Sequence, residues 1–326
     1  MTPSGSGRPN LRKSIPPPTP ETVFPPNLKH TYFEHGEDHP FRPRSRKFEL
    51  VNAWWLAESS LLAYADPGFA TPAFTQAGFT SVKFINTSGS TQCYIASNDA
   101  FGIVAVRGTQ VLKRGSGVSL RDVLRDIVAD GRFFLVDSGQ GGFVHEGFAA
   151  EVASCWVPLT GYLDEQRRSH GEDWKVWFTG HSLGAAVATL VADRDGGGQG
   201  LYTFGSPLVG DGSFRDDFHV NTYRIVHHRD IVTRVPPFGP YKADTTRVGR
   251  YEHVGSLRYI DGSDELIDEP STQQVTALRA GRFEALVNAA FELRLGALWE
   301  IATDDLNDHA PLYYALKMWN AYVSDL

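Results

Sequence analysis

Apolar residues recur along the chain with two different periods, and the switches between them mark out the elements. From Phe48 to Tyr64 (FELVNAWWLAESSLLAY) they fall at steps of three and four, the spacing of an amphipathic helix, and the run Asp66-Pro67-Gly68 ends it. SVKFINT and TQCYIASND follow as β-rich runs closed by turn residues. FGIVAVRGT is apolar almost without interruption, which suits a strand buried on both faces. Past Gly115 and Gly117, residues 119–130 set a Ser at a plausible N-cap before Leu120, Val123, Leu124, Ile127 and Val128, which predicts a short amphipathic helix.

The same reading predicts a longer helix over 146–168 and a strand over Trp174 to Thr179. A Gly-Ser turn then leads into LGAAVATLVADR, whose alanines are strong helix formers. LYTFG, TYRIVHH and two short β-like runs around RYEHVGSLRYI continue the alternation, so the expected fold class is α/β, with a mainly parallel central sheet flanked by helices. Beyond residue 270 the pattern turns helical: Val275, Leu278, Leu286, Val287, Ala290, Phe291 and Leu298 stay near one face, a block that reads as core or cap packing. A last helix begins near Pro311, well placed at a first helical position. No internal repeat is visible.

The first 45 residues break the pattern, because ten of the 19 prolines lie there and block helix interiors and sheet ladders. Residues 1–45 are therefore read as a Pro-rich tail or wrapping arm, and 46–326 as a single domain. His30, His35 and His39 stand near Glu37 and Asp38, but their spacing fits no standard metal site and they read as a polar loop. With 31 Lys+Arg against 38 Asp+Glu the net charge is −7, which argues against nucleic acid as a partner. Cys93 and Cys155 are too few for a dense disulfide framework and lack the paired spacing of a zinc site. No apolar run approaches the roughly 18 residues of a membrane span, so no transmembrane anchoring is expected. The first 20 residues hold no apolar stretch behind their basic positions, and a cytoplasmic location is expected from that.

Chemistry concentrates at Gly180-His181-Ser182-Leu183-Gly184, a G-x-S-x-G run between an apolar strand and an Ala-rich helix. On a tight strand-to-helix turn the Ser182 hydroxyl would project above the sheet, and side chains at 180 or 184 would collide with the returning helix. A serine hydroxyl is a weak nucleophile, so it needs a histidine to take its proton and an acid to orient that histidine. Asp230, which follows TYRIVHH at the carboxyl end of a strand, is the best acid, with Asp211 in LVGDGS as runner-up. Asp216 and Asp217 read as surface charges. Downstream, His253 and His309 both fit the base; His309 lies in a loop before a helix and is slightly preferred, while His253 can simply pack in a β-like run. His227 and His228 read as strand-end residues, and His181 as a hydrogen-bonding neighbour within the elbow. The amide of Leu183 offers one oxyanion donor, and Thr109, at the end of the earlier buried strand, offers the second.

Six separated motifs make the resemblance plain: VRGT (106–109), VHEGF (144–148), FTGHSLGAA (178–186), TFGSPLVGD (203–211), YRIVHHRDIVTRVPP (223–237) and DHAPLYY (308–314). In this order, across about two thirds of the chain, the sequence resembles the class 3, fungal-type lipase family of α/β-hydrolases. Carried over residue by residue, the resemblance implies Ser182 as nucleophile, Asp230 as acid, His309 as base, and Thr109 with Leu183 as the oxyanion hole. It also implies no metal or organic cofactor, a lipid or ester substrate, and a possible lipid–water interface as partner. Two features depart from the family's secreted members: the cysteines are few and no leader is visible. A helical insertion over 270–305 also separates acid from base more widely than in compact members.

In such lipases the segment after the oxyanion strand often forms a lid, where helix 119–130 is expected here; permanent packing on the sheet fits its pattern equally well. The activity this implies is cleavage of carboxylic ester bonds in lipids, triacylglycerol lipase-like. Phospholipase A1 or a short-chain or feruloyl-type esterase stand as alternatives, and a catalytically silent lipid-binding protein as the non-enzyme one.

Overall fold

Among the described residues, period-two alternation along the strands sends side chains into two main cores, one on each face of a single large sheet. The computed structural model describes residues 11–87, 91–108, 134–235, 241–242, 248–271, 273–274 and 307–326. In chain order the strands are β1 (Ser81–Asn86), β2 (Gln92–Ser97), β3 (Phe101–Val106), β4 (Leu135–Asp137), β5 (Phe143–His145), β6 (Lys175–His181) and β7 (Gly200–Phe204). After them come β8 (Gly210–Asp211), β9 (Thr222–His227), β10 (Tyr241–Lys242), β11 (Val248–Gly249), β12 (Tyr251–Glu252), β13 (Ser256–Ile260) and β14 (Leu266–Asp268). The helices are α1 (Pro20–Val23), α2 (Leu50–Leu62), α3 (Pro67–Gln76), α4 (Glu146–His170), α5 (Leu183–Asp195), α6 (Gly212–Asp217) and α7 (Pro311–Ser324).

The central sheet runs β1-β2-β3-β6-β7-β9-β13-β14. Its five middle strands, β3, β6, β7, β9 and β13, pair in parallel, and antiparallel strands close both edges. A smaller sheet, β12-β8-β5-β4, lies beside it. This is the mainly parallel, helix-flanked sheet that the alternation predicts. All six residues of β3 are buried, as expected of a strand covered on both faces.

In β3, Ile103 and Ala105 enter one core and Val104 and Val106 the other. The first core is aromatic: Trp54, Trp55, Trp177, Trp319, Tyr202, Phe74 and Phe79 meet between the sheet, α2, α3 and α7. The second is largely aliphatic, with Val152, Leu159 and Leu163 of α4 and Val187, Leu190 and Val191 of α5. Helix α2 differs from the amphipathic helix its spacing predicts, because twelve of its 13 residues are buried. It lies between the sheet and α7, so its polar residues find protein partners instead of water. Asn52 exchanges two hydrogen bonds with the backbone of Arg42, and Glu58 receives His30 Nε2 and Trp54 Nε1. Asp66-Pro67-Gly68 does more than end a helix: Asp66 is the N-cap of α3 and Pro67 its first residue, where the missing amide costs nothing.

Residues 11–49 are bound to the domain along their length. Phe33 and Phe41 enter the aromatic core. Asn320 on α7 donates to the Lys13 carbonyl (2.8 Å) and accepts from its amide (2.7 Å), while Trp319 donates to the Leu11 carbonyl. Trp177 reaches the carbonyl of Pro43. The three histidines go separate ways: His30 pairs with Glu58, His35 stacks on Trp319, and His39 hydrogen-bonds Tyr322. Among the described residues no cluster of metal ligands forms, and no helix is long and apolar enough to cross a membrane. The predicted helix at 119–130 and nearly all of the 270–305 block lie outside the described residues.

Candidate active site

Everything that the motif places in Gly180 to Gly184 follows from how β6 is joined to α5. His181 ends the strand, Leu183 opens the helix, and Ser182 alone makes the turn, at φ 60° and ψ −134°. A serine at positive φ is strained by about 1–3 kcal/mol, and the surroundings must enforce it. Its amide donates to the Phe204 carbonyl on β7 (3.0 Å), and its carbonyl accepts from Ala185 (2.9 Å). The flanking glycines let the helix return so closely. A Cβ on Gly180 would lie 2.7 Å from the Ala185 nitrogen, and one on Gly184 would lie 2.7 Å from the Gly108 nitrogen at the end of β3. Leu183, at the first helical position, has no acceptor four residues back, so its amide is available at the positive end of the α5 dipole.

The acid and the base meet from opposite ends of the C-terminal half. Asp230 lies three residues beyond β9 and is fully buried. His309, 3% exposed, precedes α7. The His309 Nδ1–H donates to both carboxylate oxygens of Asp230, at 2.9 and 2.8 Å. The Val232 amide and the Tyr314 hydroxyl, at 2.9 and 2.6 Å, complete the carboxylate's partners. A carboxylate can only accept, so the proton sits on Nδ1 and the Nε2 lone pair is free. Nε2 is buried and has no hydrogen-bond partner among the described residues. An imidazole held in this way can take a proton at Nε2 while the carboxylate stabilises the resulting charge.

The alternatives weighed in the sequence occupy other posts. Asp211 is the N-cap of α6, its Oδ1 accepting from the amides of Phe214 (2.9 Å) and Phe143 (3.0 Å). His253 bonds the Thr233 carbonyl through Nε2. His227 Nδ1 bonds the Asp308 carbonyl, and burial pulls its pKa down to about 3. Asp216 and Asp217 are exposed. His181 is buried beside His309, with ring centroids 4.4 Å apart. Thr109 lies outside the described residues, which stop at Gly108 on that side.

Two residues escape a sequence reading. Gly205, just past β7 at φ +59°, faces the acid–base pair: a Cβ there would lie 2.6 Å from Asp230 Oδ2 and 2.9 Å from His309 Nδ1. It stands in TFGSP, where a lone glycine after a strand signals only a turn. Tyr314 lies in DHAPLYY on the first turn and a half of α7, with an aromatic's ordinary core signal. Yet its hydroxyl receives the His227 amide (3.0 Å) and donates to Asp230, and burial together with the Asp230 charge holds its pKa well above the usual phenol value.

Residues 103–239 match the class 3 lipase family. The "Secreted mono- and diacylglycerol lipase 1" of Fusarium solani is 39% identical over 125 residues, 36% of this chain and 34% of that protein. The "Lipase" of Rhizomucor miehei is 35% identical over 128 residues, 35% of each chain. The chain thus spans about a third of the length of the curated relatives it matches. The crystal structure of a mono- and diacylglycerol lipase from Aspergillus oryzae superposes with a TM-score of 0.53 over 71% of this chain and 90% of that one, at 21% identity. The fold is that of the α/β-hydrolases. These relatives also overturn the cytoplasmic location expected above, since the Fusarium solani protein is by name secreted. That expectation rested on the composition of the first 20 residues, which carries no physical information about export.

Proposed function

We propose that the chain, whose residues 103–239 match the class 3 lipase family, is a serine hydrolase of carboxylic esters in acylglycerol lipids, acting outside the cell. His309 Nε2 takes the Ser182 hydroxyl proton as Oγ attacks the ester carbonyl carbon. Asp230 holds the imidazolium that forms. The negative oxygen of the tetrahedral intermediate takes a hydrogen bond from the Leu183 amide at the α5 N-terminus, with Thr109 as second donor. Collapse expels the alcohol, which leaves with the proton from Nε2, and an acyl-enzyme remains on Ser182. Water, deprotonated by His309, attacks that ester and frees the acid.

The observation that carries this reading is the buried pair of His309 and Asp230, its Nε2 without a partner among the described residues, at the sheet edge where the Ser182 turn stands. Covalent labelling by an organophosphonate tests it. Ser182 is expected to be labelled, and Ser182→Ala to lose both labelling and about 10⁴-fold or more of ester turnover. A wild-type protein that resists the probe, or a Ser182→Ala variant that still turns over ester, overturns it. p-Nitrophenyl esters from acetyl to palmitoyl, followed across the concentration at which the substrate aggregates, test the lipid preference. A rate jump with long chains at aggregation is expected, and saturating short-chain activity without a jump counts against acylglycerol.

A further inference from the structure

Beneath the elbow a buried hydrogen-bond chain joins the end of β3 to the backbone of the base. The Gly108 amide is turned to the Tyr64 oxygen. Tyr64, from the residue pair after α2, lies 2.9 Å from His181 Nδ1, and His181 Nε2 lies 2.7 Å from the His309 carbonyl oxygen. The direction of the chain is set by chemistry. A carbonyl only accepts, so the proton of His181 sits on Nε2; Nδ1 must then accept, and Tyr64 must donate to it. Both rings are held in the required forms: burial raises the Tyr64 phenol, and burial with the neighbouring His309 keeps His181 neutral. The packing leaves no slack, because a Cβ on Gly108 would collide with the Tyr64 hydroxyl and lie 2.8 Å from the His181 carbonyl.

We propose that His181 is a positioning residue for the reaction, anchoring the main chain of His309 to the residue before the nucleophile, and that Tyr64 sets the His181 tautomer while tying the same chain to the oxyanion-side end of β3. This rests on the reading of Ser182, Asp230 and His309 as the catalytic groups. The carboxylate of Asp230 fixes one side of the His309 imidazole, but the loop carrying it reaches the elbow through the His181 bond. A neutral His181 also spares the His309 imidazolium a like charge at a ring separation of 4.4 Å.

The test compares His181→Leu with His181→Gln, whose amide can still donate to the His309 carbonyl. In the Leu variant kcat is expected to fall about 100-fold with KM unchanged, the size of loss that a misplacement near 1 Å produces. The Gln variant is expected to recover at least about tenfold of that loss. Tyr64→Phe, which keeps the ring volume, is expected to lose about tenfold in kcat, and it serves where His181→Leu fails to fold. The downfield proton resonance of the His309–Asp230 hydrogen bond gives a reading without substrate: it is sharp in wild type and in His181→Gln, and broadened by exchange in His181→Leu. A wild type lacking both turnover and organophosphonate labelling removes the reading beneath the proposal. An active wild type whose His181→Leu variant keeps kcat within about twofold, or whose Leu and Gln variants lose equally, overturns the proposal itself.

Discussion

The two faces of the central sheet are built on opposite plans, and the candidate catalytic groups are divided between them. On the aliphatic face, α4, β6 and α5 follow one another in the chain, and α5 carries Ser182 at its start. On the aromatic face, residues 11–49, α2, α3 and α7 are drawn from both ends of the sequence, and α7 carries His309 ahead of its first turn. The nucleophile thus sits on a turn joining elements that are consecutive in the chain, held from outside by the Phe204 carbonyl on β7 and by the close approach of Gly184 to Gly108. The base is positioned by contacts across the whole chain: 79 residues separate it from Asp230 and 128 from His181. Damage to the aliphatic face should cost stability, whereas damage to the aromatic face should cost stability and misplace the base.

Asp230→Asn breaks the link between the two plans most directly. The amide can no longer hold His309 in the Nδ1–H form, and turnover is expected to fall about 10⁴-fold with the fold retained, as checked by kinetics beside circular dichroism. Trp319→Ala against Leu159→Ala sharpens the contrast, each side chain being fully buried on its own face. Losses of about 3–5 and 2–5 kcal/mol are expected from urea unfolding. Only the Trp319 variant is expected to lose kcat per folded molecule; equal losses from both would erase the distinction.

Acid offers a smaller probe. His145 and His227 are held by burial at about 4 and about 3, and His181 well below its usual value. The unfolded chain takes up these protons near pH 6.5 and the folded chain only far lower. The unfolded state therefore binds more protons between those limits, and stability falls as pH drops from about 6.5 toward 4, by up to about 1.4 kcal/mol per unit for each histidine. Stability curves at pH 7, 6 and 5 read this slope, and His227→Gln should lessen it by one histidine's share. Smallest is Asn320→Ala, which frees both backbone groups of Lys13. About 1–2 kcal/mol of stability should go, with faster proteolysis between residues 11 and 45 and kcat nearly unchanged.

Legibility in the sequence follows the same divide. FGIVAVRGT, WKVWFT and LGAAVATLVADR become β3, β6 and α5 because period, glycine placement and alanine content act over a few residues. Pro311 opens α7 for the same local reason. The burial of α2 on all sides was not legible, since Asn52 and Glu58 look like solvent residues until Arg42 and His30 arrive from the arm. Nor was the start of α3 in Asp66-Pro67-Gly68, a run that serves as readily to stop one helix as to begin another. Asp211 and Asp230 both stand after apolar runs in the sequence, yet Asp211 ends β8 of the smaller sheet and Asp230 follows β9 of the central one; only the amides of Phe143 and Phe214 on one, and His309 on the other, tell a cap from a histidine's partner.

By itself the sequence determined the strand and helix periods, the order of the elements and the place of the serine turn between β6 and α5, because periodicity and glycine spacing act between near neighbours; the strain at Ser182 is enforced from β7 and the end of β3. The tertiary structure alone decided that Gly205 must be bare, that Tyr314 serves Asp230, and that His181 is tied to His309. Those facts belong to pairs of groups brought within 3 Å from distant parts of the chain, and a hydrogen bond leaves no period along the sequence for either partner to show.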